Sequence, residues 1–113
     1  MQKGLFNKMN TQGWIRGLIA YNSPIEKFIN FVCNTISEEF QFRFGLIKEN
    51  NGYLFCFDNY SVKVSIQELE YLQKKGPYAL DKFLLENLKT QGLKFDVHRS
   101  HYIEYCYGIV CRC

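Results

Sequence analysis

The chain has 113 residues, 47% of them apolar and 17% aromatic, with ten Phe and eight Tyr. That length suits one domain with a real core, and that composition excludes a disordered, charge-rich chain. Fourteen Lys and Arg against eleven Asp and Glu leave a net +3, too little by itself to mark a nucleic-acid binder.

Residues 1–22 read as a lead-in rich in turn formers, Gly4, Asn10, Gly13 and Gly17. Trp14, Ile15, Leu18 and Ile19 sit at helical spacing there, as a short helix or strap would. Residues 1–25 carry Lys3, Lys8 and Arg16 and no acid, a basic arm that is usually solvated. The apolar run from Trp14 to Ala20 is broken by Arg16 and Gly17. It is too short for a signal peptide or a membrane span, so the expectation is a cytoplasmic protein with no membrane partner. Five cysteines in that compartment read as free thiols or ligands before disulfides.

The domain proper is expected over residues 23–113. Ser23, Pro24 and Glu26 form a capping box, and Ile25, Phe28, Ile29, Val32, Ile36 and Phe40 follow at spacings of three and four, which predicts a helix to about Phe40. Strands over residues 41–49 and 53–58 flank Asn50-Asn51-Gly52. Asn51-Gly52 as a type I′ loop would set Lys48 opposite Phe55. Phe44, Leu46, Phe55 and Phe57 then share an aromatic core face, and Arg43, Ile47, Glu49, Leu54 and Cys56 make a mixed reverse face. A turn at Asp58-Asn59 leads to a third strand over 60–64. Ser65-Ile66-Gln67-Glu68 opens a second helix to about Lys75, and a third begins at Pro77 with Leu80, Phe83, Leu84 and Leu88 on one stripe. Gly92 stops it. Residues 93–98 and 102–110 read as two more strands. The order α-β-β-β-α-α-β-β predicts an α+β fold, an antiparallel sheet with helices on one face.

Chemistry concentrates at the end of the chain. His98, His101, Cys106, Cys111 and Cys113 hold more donors than a tetrahedral zinc needs. Their spacing fits poorly, because Cys111-x-Cys113 is tighter than a metal knuckle and Cys106 falls inside an expected strand. There is no Cys-x-x-Cys, no Gly-x-Ser-x-Gly, no phosphate loop and no His-Glu-x-x-His. Cys33 and Cys56 lie in apolar segments where a thiol is inert, so no nucleophile pair assembles with either histidine. The helix-then-three-strands order resembles the opening of a restriction-endonuclease core, yet Ser61 stands where that family sets a metal-holding carboxylate beside Lys63. It also resembles a double-stranded-RNA-binding domain, but Ser65-Ile66-Gln67-Glu68 replaces the basic cluster expected there.

Two binding modes remain. Arg99 with Tyr102, Tyr105 and Tyr107, or Arg43 with Phe42 and Phe44, interleaves cations and rings as single-strand nucleic-acid platforms do. Alternating aromatics more often line a core. The reading adopted is a non-enzymatic module without a cofactor that contacts another protein, as a regulator, inhibitor or immunity-type factor, with Trp14, Arg99, Tyr102, Tyr105 and Tyr107 as candidate contacts. Single-strand nucleic-acid binding and a C-terminal zinc site are the alternatives. Lys-, Asn-, Phe- and Tyr-rich usage points to an AT-rich genome, bacterial or phage.

Overall fold

The computed structural model describes residues 24–109; the lead-in expected over residues 1–22 lies outside them. The first helix, α1, spans Ile25–Phe40 and buries Phe28, Ile29, Val32, Cys33 and Ile36, the face its spacing predicts. Its start differs from the capping box. Pro24, with an extended ψ of 153°, is the residue before the helix rather than its first member, and its carbonyl accepts from Phe28 N–H at 3.0 Å. Glu26 therefore sits in the first turn and accepts the Tyr53 hydroxyl at 2.9 Å. Gln41 ends the helix in the left-handed region at φ 60°.

Strands β1 (Phe44–Glu49), β2 (Gly52–Phe57) and β3 (Tyr60–Ser65) form one antiparallel sheet in the order β1-β2-β3. The first hairpin corrects the expected register. Glu49 pairs with Gly52 and Lys48 with Tyr53, so the loop is Asn50-Asn51 and Gly52 opens the strand. Neither asparagine takes positive φ, and the turn is not type I′. The pairing slips by two residues, which leaves every side chain on its expected face because the pleat repeats every two. Tyr53, Phe55, Phe57, Val62 and Val64 are accordingly buried.

At the second turn Asp58 takes φ 51°, and its carboxylate and N–H bond to Arg43 N–H and C=O, both at 2.8 Å. Ser65 caps α2 (Ile66–Lys75) by accepting Glu68 N–H, as its motif predicts. The third helix, α3 (Ala79–Thr90), begins after a turn at Pro77-Tyr78 rather than at Pro77 itself and buries Leu80, Leu84, Leu85 and Leu88. Gly92 stops it at φ 117°, a value that favours glycine, and Leu93 N–H returns to the Leu88 carbonyl at 3.0 Å.

The two expected C-terminal strands are not strands. Residues 93–98 run without regular structure, and Asp96 turns the chain by accepting His98 N–H. Ser100 then caps a short helix, α4 (His101–Cys106), through Ile103 N–H at 3.2 Å. Tyr102, Ile103 and Cys106 are the buried residues, spaced i, i+1 and i+4 as one helical face requires. The result is an α+β domain whose helices cover one face of a three-stranded sheet, around a single core. Among the described residues no helix is long and apolar enough to cross a membrane.

Candidate protein-binding surface

The C-terminal helix scatters the residues that the sequence gathers. His98 and His101 are exposed while Cys106 is buried, and His98 Nδ1 lies 3.2 Å from Glu104. Among the described residues no three His, Cys, Asp or Glu side chains cluster to hold a metal; Cys111 and Cys113 lie outside the described residues, as does Trp14.

Arg99 is held by α1, its Nε 2.8 Å from the Glu39 carboxylate and its guanidinium carbon 4.4 Å from the Phe40 ring centre. Ser100 donates to the same carboxylate, so Arg99 and Ser100 fasten the start of α4 to the end of α1. Tyr102 is buried and donates to Asp81 at 2.5 Å. Tyr105 stacks on Tyr78 with centroids 5.5 Å apart. Tyr107 donates to Glu86, and Lys82 and Lys89 lie over its ring. The three tyrosines thus lie on a short helix and its C-cap, turned toward α3 and Tyr78, instead of lining a strand. Tyr105 and Tyr107 border a shallow cleft with Tyr71, Tyr78 and Phe83, between α2, α3 and α4.

The buried protic groups have a pH consequence. Burial, then the charge of Asp81, pushes the Cys33 thiol up to about 12. Burial, then the Glu26 hydrogen bond, raises Tyr53, and burial with the Glu86 hydrogen bond raises Tyr107. Each folded-state pKa lies above its unfolded value, so the folded state holds these protons more tightly. Their contribution is complete below the unfolded values, roughly 8.5 for Cys and 10 for Tyr, and is lost as pH rises toward the folded ones. The urea midpoint is expected to fall progressively above about pH 9. A midpoint that stays flat to pH 11 contradicts this. In the same chain, peptide-resolved alkylation at pH 8 is expected to modify half-exposed Cys56 well before Cys33 and Cys106, both buried; equal labelling of the three contradicts the packing.

A second surface emerges on the sheet. Opposite the helices, β1 carries Gly45, Ile47 and Glu49 after Arg43, β2 carries Leu54 and Cys56, and β3 carries Ser61 and Lys63. Ile47 is 52% exposed and pairs with half-buried Leu54; Gly45 pairs with Cys56. This small apolar centre has a charged rim of Arg43, Glu49, Asp58 and Lys63.

The two sheet edges differ. A two-residue loop makes Glu49 and Gly52 a mutually bonded pair, so Glu49, Ile47 and Gly45 bond inward to β2. Phe44, Leu46 and Lys48 therefore direct N–H and C=O away from the sheet, and among the described residues no other strand pairs with β1. On β3 the outward groups of Ser61 are taken. Gln91 Nε2 donates to the Ser61 carbonyl at 2.6 Å, and Ser61 N–H donates to Gln91 Oε1 at 3.2 Å. A side-chain amide thus stands where another strand would pair, and Lys63 further blunts that edge.

The mixed reverse face was the sequence signal for this surface. Which strand is the open edge depends on strand order, which the sequence does not state. Comparison of the chain with protein-family models, with curated proteins and with solved structures finds no match.

Proposed function

We propose that the chain is a non-enzymatic binding protein that acts through protein–protein contact, as a regulator, inhibitor or immunity-type factor, and that it binds by adding an extended strand to β1. The observation that carries this reading is the open edge: outward backbone groups at Phe44, Leu46 and Lys48 beside exposed Ile47, while Gln91 closes the opposite edge at Ser61. Strand addition draws affinity from main-chain hydrogen bonds and specificity from alternate side chains. Here the partner strand would place a branched apolar residue over Gly45 and a carboxylate beside Arg43, whose guanidinium forms no ion pair among the described residues.

This surface replaces the tyrosines of α4 as the preferred contact. Tyr102 is buried, Tyr105 stacks one ring face on Tyr78 and Lys82 and Lys89 lie over Tyr107, so these rings offer less free surface than the β1 edge offers free backbone groups.

Panning random ten-residue peptides against the reduced chain tests the reading. Enriched peptides are expected to carry an acidic residue two positions from a branched apolar one, so that both fall on one strand face, and to shift the amide resonances of residues 44–49. Failure to enrich any sequence, or shifts centred on Tyr71 and Tyr107, contradicts it.

A further inference from the structure

Which strand meets the requirements of that edge? The best match in the chain is β1 itself. We infer that two copies of the chain associate through antiparallel pairing of their β1 strands, giving one continuous six-stranded sheet. The inference rests on the strand-addition reading and names its occupant.

The register is dictated by the groups that point outward. Phe44, Leu46 and Lys48 must pair with one another across the join, because Gly45, Ile47 and Glu49 are already bonded to β2. A two-fold axis through Leu46 satisfies this. It sets Leu46 opposite Leu46 of the second copy, and Phe44 opposite Lys48 of the second copy.

On the helix-free face the same register sets Arg43 opposite Glu49 of the second copy, and Ile47 opposite Gly45 of the second copy. Each unlike pair occurs twice by symmetry. Both Arg43–Glu49 pairs join opposite charges, which cross-strand neighbours favour. Both Ile47–Gly45 pairs set a branched side chain over a residue with no side chain, and nothing lies within 4 Å of where a Gly45 Cβ would be, so that space is free. A register shifted by two residues loses these complements: it sets Ile47 against itself and Glu49 against Gly45. Pairing of the β3 edges would have to displace Gln91 from Ser61.

Joining the edges would also set the two helix-free faces side by side, with both copies of Ile47 and Leu54 on one surface. The edge that invites aggregation would thereby be consumed.

Sedimentation velocity on the full chain under reducing conditions, with three variants, tests the inference. The wild type is expected to sediment as twice the 13.4 kDa chain. Lys48→Pro removes one outward N–H without touching a bond to β2 and is expected to leave a folded monomer. Arg43→Glu sets like charges opposite each other twice and is expected to weaken the dimer about tenfold. The swap Arg43→Glu with Glu49→Arg restores opposite charges and is expected to recover most of that loss, an outcome that a merely destabilised monomer would not give. A dimer indifferent to Lys48→Pro and to Arg43→Glu uses another surface and overturns the inference. So does a wild type that stays monomeric at hundreds of micromolar. If panned peptides still shift residues 44–49 of that monomer, only the second copy is lost as occupant; if they do not, strand addition fails with it.

Discussion

Replacement of Gly52 by alanine is expected to cost at least about 3 kcal/mol of folding stability, the upper end of what overpacking costs. The β carbon would stand 2.1 Å from the Val64 carbonyl oxygen and 2.8 Å from the Ser65 Cα. Both are backbone atoms of the paired strand, so no rotamer change relieves the clash, and the strands would have to part where β2 begins and β3 ends. The Ile66 N–H to Asn51 carbonyl bond, 2.8 Å, lies next to the strain and should be lost with it. Gly45→Ala makes the same chemical change on β1, opposite Cys56 and four pairs along the register from Glu49–Gly52, where nothing lies within 4 Å. There the variant should match or exceed wild-type stability, since glycine within a strand costs roughly 0.5–1 kcal/mol relative to alanine. Urea unfolding of the two variants checks the pair, and equal midpoints would contradict the hairpin register.

Phe55→Ala is expected to cost about 3–5 kcal/mol, because it removes a fully buried ring from the middle strand and leaves a cavity. Phe55 lies between Leu46 and Val62 across the sheet and faces the helices. Against a total of roughly 5–15 kcal/mol for a domain, that loss is a large fraction, worth a melting-temperature drop on the order of 15 °C or more. Ile47→Ala, eight residues earlier and as apolar, should fall within about 0.5 kcal/mol because its side chain is half in water. The contrast measures the two faces of one sheet. A loss below about 1.5 kcal/mol for Phe55→Ala, or one above it for Ile47→Ala, would mean that the faces are assigned wrongly.

The strongest sequence signals were those in which pattern and local chemistry agreed. Phe28, Ile29, Val32 and Ile36 repeat at helical spacing, and Ser65 three residues before Glu68 closes its cap as its motif requires. Gly92 stops α3 where a positive φ is needed. Asn51-Gly52 misled because Gly52 answers a different demand: it admits a neighbouring strand, not a left-handed turn. Residues 102–107 misled for another reason. Tyr, Ile and Cys suit strand and helix alike, and Ile103, Tyr105 and Tyr107 alternate as a strand would. The deciding signal was Ser100, a helix cap that the alternation outweighed. The binding surface was legible only in part. Arg43, Ile47, Glu49, Leu54 and Cys56 stood out as an unexplained mixed face, but nothing in the sequence says that Gln91 reaches Ser61 to close one edge and leave the other.

Among the described residues nothing pairs with the outer side of β1. Residue-resolved amide hydrogen exchange on the chain diluted to a monomer measures that side directly. The amides of Gly45, Ile47 and Glu49 bond to β2 and should exchange slowly. Those of Phe44, Leu46 and Lys48 should exchange orders of magnitude faster, with Ser61 slower than they are because Gln91 holds it. Alternating protection along β1 that evens out as concentration rises is the predicted result. Uniform slow exchange from Phe44 to Glu49 at the lowest concentration would contradict it, because the edge would then already be covered by the chain itself.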